Sequence, residues 1–176
     1  MSNTDTVKTD VLIIGGGPSG ISAAIHLADI FKQTDQNHRI LLIDKGSSIG
    51  SHILSGAVIK PAVFKELLPE VELSEIPFNA KVTKDSTVFL QEHGHITLPF
   101  QIPYMNNIGN YTASLGQICR YLAAKAQEKG VEIYPGFAVD EILYKDGKVT
   151  GQNQRHGLES SGTSVGKLSG RHADRS

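Results

Sequence analysis

The chain has 176 residues, 39% of them hydrophobic, and a formal net charge of −1 at pH 7. It is long enough to bury one ordinary core, and its near-neutral charge gives no reason to expect a nucleic acid or an anionic bilayer as partner. No apolar run approaches the ~20 residues of a membrane span, and the polar start lacks signal or transit features, which favours a cytosolic location in a bacterium.

The first element is a glycine-rich turn between a strand and a helix. Residues 11–14 form a short apolar run, which predicts a strand buried on both faces. Gly15, Gly17 and Gly20 follow in the spacing G-x-G-x-x-G, and a helix begins near Pro18. The first glycine permits the turn, the second lets a pyrophosphate approach the backbone, and the third lets the helix pack against the strand. Because free N–H groups at a helix start face an anion, the segment predicts a dinucleotide site.

A second strand is predicted over residues 39–43, and it ends at Asp44. A carboxylate in this position can accept hydrogen bonds from the ribose of an adenosine, and it would repel the 2′-phosphate of NADP. Taken alone, Asp44 would be interpreted as a turn residue at a strand end. The glycine-rich loop that follows, which includes Lys45 and Gly50, would fall near the same pyrophosphate. The glycine pattern binds the ADP half of FAD or of a nicotinamide cofactor, so it does not decide between them.

An insertion is predicted between the second and third strands of this domain. It contains a short helix over residues 61–68, a β-rich stretch over 77–103 and a long helix over 114–129. The "HGH" at residues 93–95 is interpreted as a hairpin turn rather than a metal site. Cys119, the single cysteine, excludes an internal disulfide and a four-cysteine cluster, and its place on the apolar face of the long helix predicts a core position.

The third strand is predicted over residues 131–137, parallel to the first two and on the far side of the second. A hairpin around Asp146 and Gly147 follows. Further parallel strands, which a doubly wound sheet needs, are not found after it.

From about residue 9 to 151 the chain resembles the electron-transfer-flavoprotein:ubiquinone oxidoreductases, a family of FAD proteins. The matching stretches include "DVLIIGGGPSGISAAI", "IDKGSSIGSHILSGAV" and "MNNIGNYTASLGQICRYLAAKAQEKGVEIYPGFA". The resemblance implies an α/β fold, a Rossmann-like FAD-binding domain of the glutathione-reductase type, interrupted between strands 2 and 3 and truncated. This incomplete domain is assigned to residues 10–151 and corresponds only to the N-terminal part of the family protein.

The motif and the resemblance together predict a set of FAD contacts. Asp44 stands where the family usually has glutamate, with one methylene less reach. Arg120 is a candidate phosphate contact, and its alternative interpretation is a solvated helix arginine. The predicted contacts are Gly15, Gly17, Pro18, Ser19, Gly20, Asp44, Lys45, Gly50, Ser51, His52, Ser55, Gly56 and Arg120. No catalytic side chain and no metal ligand is predicted, because the redox chemistry belongs to the flavin.

The resemblance also implies a function. The family passes electrons from reduced electron-transfer flavoprotein to ubiquinone, uses FAD and a 4Fe-4S cluster, and binds the membrane peripherally. It implies a membrane contact near residues 49–70, for which the alternative is a loop and helix packed on the core. The expected location is the bacterial cytoplasm or the cytoplasmic face of the inner membrane. Two other functions stay open: a fragment of a flavin-dependent reductase or monooxygenase, and a truncated product without a stable FAD site.

Both ends of the chain are predicted to be disordered, over residues 1–9 and 152–176. The second segment is polar and departs from the family after Gly151. Reading suitable codons one base later turns parts of this tail into "KTKDMGL" and "ANFQEGMQI", which resemble the family sequence at this point. We therefore expect the tail to be a frameshifted reading of the gene.

Overall fold

The computed structural model describes residues 7–54, 56–100, 102–154 and 168–170. These fall into two compact units. The first comprises residues 1–53 and 119–176, and the second comprises residues 54–118. The boundary falls inside the predicted insertion, so the second unit is the interruption that the sequence indicates between strands two and three.

The first unit is built on a parallel sheet of three strands. The sheet has the order β2 (Val11–Ile14), β3 (Ile40–Asp44), β9 (Glu132–Pro135). Both pairings are parallel, and β3 lies between the other two strands, which confirms that the third predicted strand is parallel to the first two and on the far side of the second. The middle strand is buried on both faces, and each of its first four side chains is at most 4% exposed.

Helix α1 (Pro18–Gln33) begins at the predicted proline and buries one apolar stripe. Helix α3 (Leu115–Glu128) agrees with the predicted long helix, and Cys119 on its apolar face is fully buried. Asp29 and Lys129 form an ion pair at 2.8 Å that joins α1 to the residue that follows α3.

A second, four-stranded sheet completes the first unit, in the order β1 (Val7–Thr9), β12 (Leu168–Gly170), β11 (Lys148–Gln154), β10 (Val139–Lys145). Phe137 and Val139 pack with Val7 against Leu41 and Ile43 of the parallel sheet. The β10–β11 hairpin has the predicted Asp146–Gly147 turn, in which both residues have positive φ, as a two-residue type I′ turn requires.

The prediction that both ends of the chain are disordered is wrong in part. Residues 7–9 form β1, β11 continues through Gln154, and residues 168–170 form β12. The rest of both segments lies outside the described residues.

The second unit contains a three-stranded antiparallel sheet in the order β4 (Ala57–Ile59), β8 (Tyr111–Ala113), β5 (Phe78–Lys81). Helix α2 (Ala62–Leu67) buries Phe64, whose ring meets Phe78 edge-on at 5.5 Å. A separate hairpin pairs β6 (Val88–Gln91) with β7 (Gly94–Thr97). Its turn is Glu92–His93, one residue earlier than the predicted "HGH", because Gly94 already pairs with Gln91.

Candidate cofactor site

The glycine loop runs from the end of β2 to the start of α1. Gly15 has a φ of +109° and donates its N–H to the carbonyl of Ile43 at 2.8 Å, which fixes the turn out of the sheet. Gly17 is the N-cap of α1, and no side chain caps the free amides of the first turn. Because the first turn carries no acidic residue, these amides and the positive end of the helix dipole suit an anion.

The glycines of this loop differ in what surrounds them. A Cβ at Gly20 would overlap the carbonyl oxygen of Gly15, so the helix can approach the strand only with glycine there. Apart from the adjoining residues of the chain, no protein atom lies within 4 Å of a Cβ built on Gly17. Gly17 therefore borders open space, and the residues fit a cofactor pyrophosphate that approaches the backbone at this point.

Asp44 joins the glycine loop to the loop that follows β3. Its Oδ2 accepts the N–H of Gly16 at 2.6 Å, and its Oδ1 accepts the N–H of Gly46 at 2.7 Å. A carboxylate offers about four acceptor sites, so two remain for the hydroxyls of a ribose. The sequence predicted only the ribose role, whereas the geometry gives Asp44 a second role in holding both loops.

The loop after β3 contains several of the predicted contacts. Lys45, Ser51 and His52 are exposed, and Gly50 has a φ of +82°. The side chain of Ile49, which the sequence did not single out, is only 8% exposed and lies beside Gly16. The loop thus offers polar side chains to solvent while an apolar one anchors it.

Two predicted contacts fall near residue 55. Ser55 lies outside the described residues. Gly56 belongs to the second unit and has a φ of +96°. It borders a cavity of about 300 Å³ within that unit, lined by Gly56, Ala57, Val58, Asn79, Thr112, Ala113 and Ser114.

Arg120 lies next to the buried Cys119 on α3, and its own side chain is exposed. Burial raises the pKa of the Cys119 thiol, Arg120 lowers this pKa and the Asp44 carboxylate raises it. The Arg120 guanidinium and the Asp44 carboxylate therefore both contribute to the electrostatic potential at the Cys119 thiol. An exposed Arg120 is available to a phosphate, and it also agrees with a solvated helix arginine.

The segment predicted to contact a membrane is divided between buried and exposed residues. Phe64 and Leu68 are at most 4% exposed, whereas Leu54 is 91% exposed. The helix thus packs on the core of its unit, as the alternative interpretation had it, while the preceding loop is open. The second unit also has exposed apolar side chains later in the sequence. They include Phe89, Leu90, Ile96, Phe100 and Tyr104.

Comparison with known proteins identifies the relatives of this arrangement. Residues 13–67 match the family described as an NAD(P)-binding Rossmann-like domain. The chain is 43% identical to the mitochondrial electron transfer flavoprotein-ubiquinone oxidoreductase of Dictyostelium discoideum, over 81% of this chain and 23% of that protein. It is 42% identical to the probable electron transfer flavoprotein-ubiquinone oxidoreductase of Acinetobacter baylyi, over 84% of this chain and 27% of that protein.

The chain belongs to the electron transfer flavoprotein-ubiquinone oxidoreductase family. It spans about a quarter of the length of the curated relatives it matches. A geranylgeranyl bacteriochlorophyll reductase-like protein from Thermoplasma acidophilum has the same fold, with a TM-score of 0.62 at 22% identity, over 95% of this chain and 38% of that one. The Rossmann-like fold expected from the sequence is thereby confirmed. Within the described part of the chain, no helix is long and apolar enough to cross a bilayer.

Proposed function

We propose that this chain is the FAD-binding part of an oxidoreductase that passes electrons from reduced electron transfer flavoprotein to ubiquinone. The observation that carries the proposal is the open space at Gly17, at the start of α1 and one residue from the amide that Asp44 holds. The names of the relatives support the electron donor and the acceptor.

Specific groups of this chain would hold each part of FAD. The pyrophosphate would lie against Gly17 and the free amides of Ser19 and Gly20, with Arg120 as a cationic contact. The ribose hydroxyls would donate to the free acceptor sites of Asp44. FAD supplies the electron transfer when it is bound, and the side chains of this chain bind and orient it.

The other components of the electron path belong to the rest of the family protein in this proposal. With one cysteine, the chain cannot supply four thiolates to an iron–sulfur cluster. The 4Fe-4S cluster and the quinone site would then lie in the remaining length of the relatives, beyond the quarter that this chain spans. The role proposed for this chain alone is therefore to bind FAD.

The test is the visible absorption spectrum of the purified chain after incubation with FAD and removal of free flavin. We expect flavin absorption in the parent and its loss in Gly17→Val, whose branched side chain would occupy the pyrophosphate position. Gly94→Val is the matched control, since a Cβ built on Gly94 also has no atom within 4 Å apart from the adjoining residues, and Gly94 has no positive φ. A parent chain without flavin, or a Gly17→Val variant that retains it, would contradict the proposal.

A further inference from the structure

The β6–β7 hairpin of the second unit is exposed on both of its faces. Every residue of its two strands is exposed, and among the described residues neither strand pairs with a third one. Phe89 lies opposite Ile96 on one face, and these side chains are 65% and 52% exposed. Because side chains alternate along a strand, Val88 and Leu90 lie on the other face, where Leu90 is 76% exposed. A two-stranded hairpin is only marginally stable in water, so apolar side chains on both faces indicate a surface that a partner covers.

The base of this hairpin is held in place by hydrogen bonds. One carboxylate oxygen of Asp85 accepts the backbone N–H of Asn107 at 2.9 Å and its side-chain N–H at 3.2 Å. Val82 donates its N–H to the carbonyl of Asn110 at 2.8 Å and accepts the N–H of Gly109 at 2.9 Å. These bonds join the chain just after β5 to the chain just before β8. The hairpin therefore extends from a fixed base while its apolar faces are bare.

The distribution of apolar and polar groups on the hairpin distinguishes three kinds of partner. A second copy related by a two-fold axis would cover one face or one edge, and the other apolar face would stay in water. A bilayer would surround both faces, but the free edges of the hairpin carry unpaired backbone groups that hydrocarbon does not tolerate, and the turn carries Glu92 and His93. A polypeptide that packs on both faces covers the apolar side chains and can also pair with the edges.

We propose that the β6–β7 hairpin packs between two apolar surfaces of the family polypeptide that lies outside the part this chain matches. The chain corresponds to 23% of the length of one relative and 27% of another, so the larger part of the family protein can supply these surfaces. The surfaces are apolar because residues 86–100 include one carboxylate, Glu92, and no lysine or arginine. The proposal uses the family membership of the chain and does not depend on the FAD site.

The test is amide hydrogen exchange of the hairpin in this chain and in the complete Acinetobacter baylyi relative, both without lipid. We expect the matching amides of the relative to exchange at least about a hundredfold more slowly than those of this chain, because opening the hairpin there breaks its packing on both faces. The amides of the buried strand β3 are the internal control and should be protected in both proteins.

Three results of this comparison would overturn the proposal. One is equal exchange of the hairpin in the two proteins. Another is protection in the relative that appears only when phosphatidylcholine vesicles are added, which would assign the hairpin to a membrane. The third is protection in this chain that increases with its concentration, which would assign the hairpin to a second copy.

Substitutions on each face test whether both faces are covered. Because their side chains are exposed, Phe89→Asp and Leu90→Asp should each leave the unfolding temperature of this chain within about 2 °C of the parent. Aspartate at either matching position of the relative should accelerate exchange of its hairpin at least about tenfold, whereas another apolar residue there, the matched control, should not. Faster exchange from one face only would overturn the cover on both faces. The comparison of the two unmodified proteins decides the proposal where an aspartate variant of the relative does not fold.

Discussion

Replacing Asp44 with alanine should damage the site in two separable ways. The carboxylate accepts backbone N–H groups from Gly16 at 2.6 Å and from Gly46 at 2.7 Å. A hydrogen bond to a charged group contributes roughly 1.5–3 kcal/mol. Asp44 is only half-buried, so water can replace part of the stabilisation that the two hydrogen bonds supply. We therefore expect Asp44→Ala to lower the free energy of unfolding of the cofactor-free chain by about 2–4 kcal/mol.

The effect on FAD is an additional loss. The variant also lacks the acceptor for the ribose, so we expect FAD affinity to fall by a further 1.5–3 kcal/mol, or about tenfold to 150-fold. Urea unfolding of the apo chain measures the first loss, and an FAD titration under conditions in which the variant is folded measures the second. Unchanged unfolding in Asp44→Ala would refute the structural role, and unchanged FAD affinity would refute the ribose contact and leave Asp44 with the role of holding the two loops.

Three other predictions concern the rest of the chain. Arg39 donates to Glu132 at 2.6 and 2.7 Å and holds the pKa of that carboxyl below its usual value, so its stabilisation is present above the ordinary glutamate pKa and is lost as the pH falls through the lowered one. Glu132→Gln should therefore flatten the fall in the free energy of unfolding below about pH 5. The difference should be under about 1 kcal/mol because the pair is partly exposed, and an unchanged acid profile would contradict this. Gln152 is 1% exposed, and neither of its amide atoms has a hydrogen-bond partner among the residues that the structure describes, so Gln152→Leu should raise the free energy of unfolding by about 1 kcal/mol in urea titrations, and a less stable variant would count against it. Leu54→Asp should weaken binding to phosphatidylcholine vesicles, measured by co-sedimentation, about tenfold if the membrane contact that the family resemblance implies uses residues 49–70. A loss only in Phe89→Asp would move the contact to the β6–β7 hairpin.

The parts of the fold that follow from local patterns could be predicted from the sequence. The first strand, α1 and the second strand are defined by an apolar run, a glycine spacing and a helical period, all within about 35 consecutive residues. The β10–β11 hairpin was equally clear because Asp146–Gly147 favours one turn type. These signals depend on neighbours in the chain, so no tertiary information was needed.

The missed features depend on residues far apart in the chain. The three-residue strand β1 pairs with β12 about 160 residues later, and strands this short carry no readable periodicity. The contact of Ile49 with Gly16 and the acceptance of the Gly16 amide by Asp44 join two loops, and no spacing rule encodes either. The frameshift proposed for residues 152–176 concerns the gene, and sequencing it for a family-like reading frame one base later checks that proposal.

The most direct test of the central claim is an equilibrium titration of the apo chain with FAD, followed by competition with ADP and with FMN. The glycine loop and Asp44 would bind the pyrophosphate and adenosine of FAD, which ADP retains and FMN lacks. The account predicts saturable binding of one FAD per chain that ADP displaces and FMN does not. An absence of saturable binding, or displacement by FMN and not by ADP, would contradict the assignment of this site.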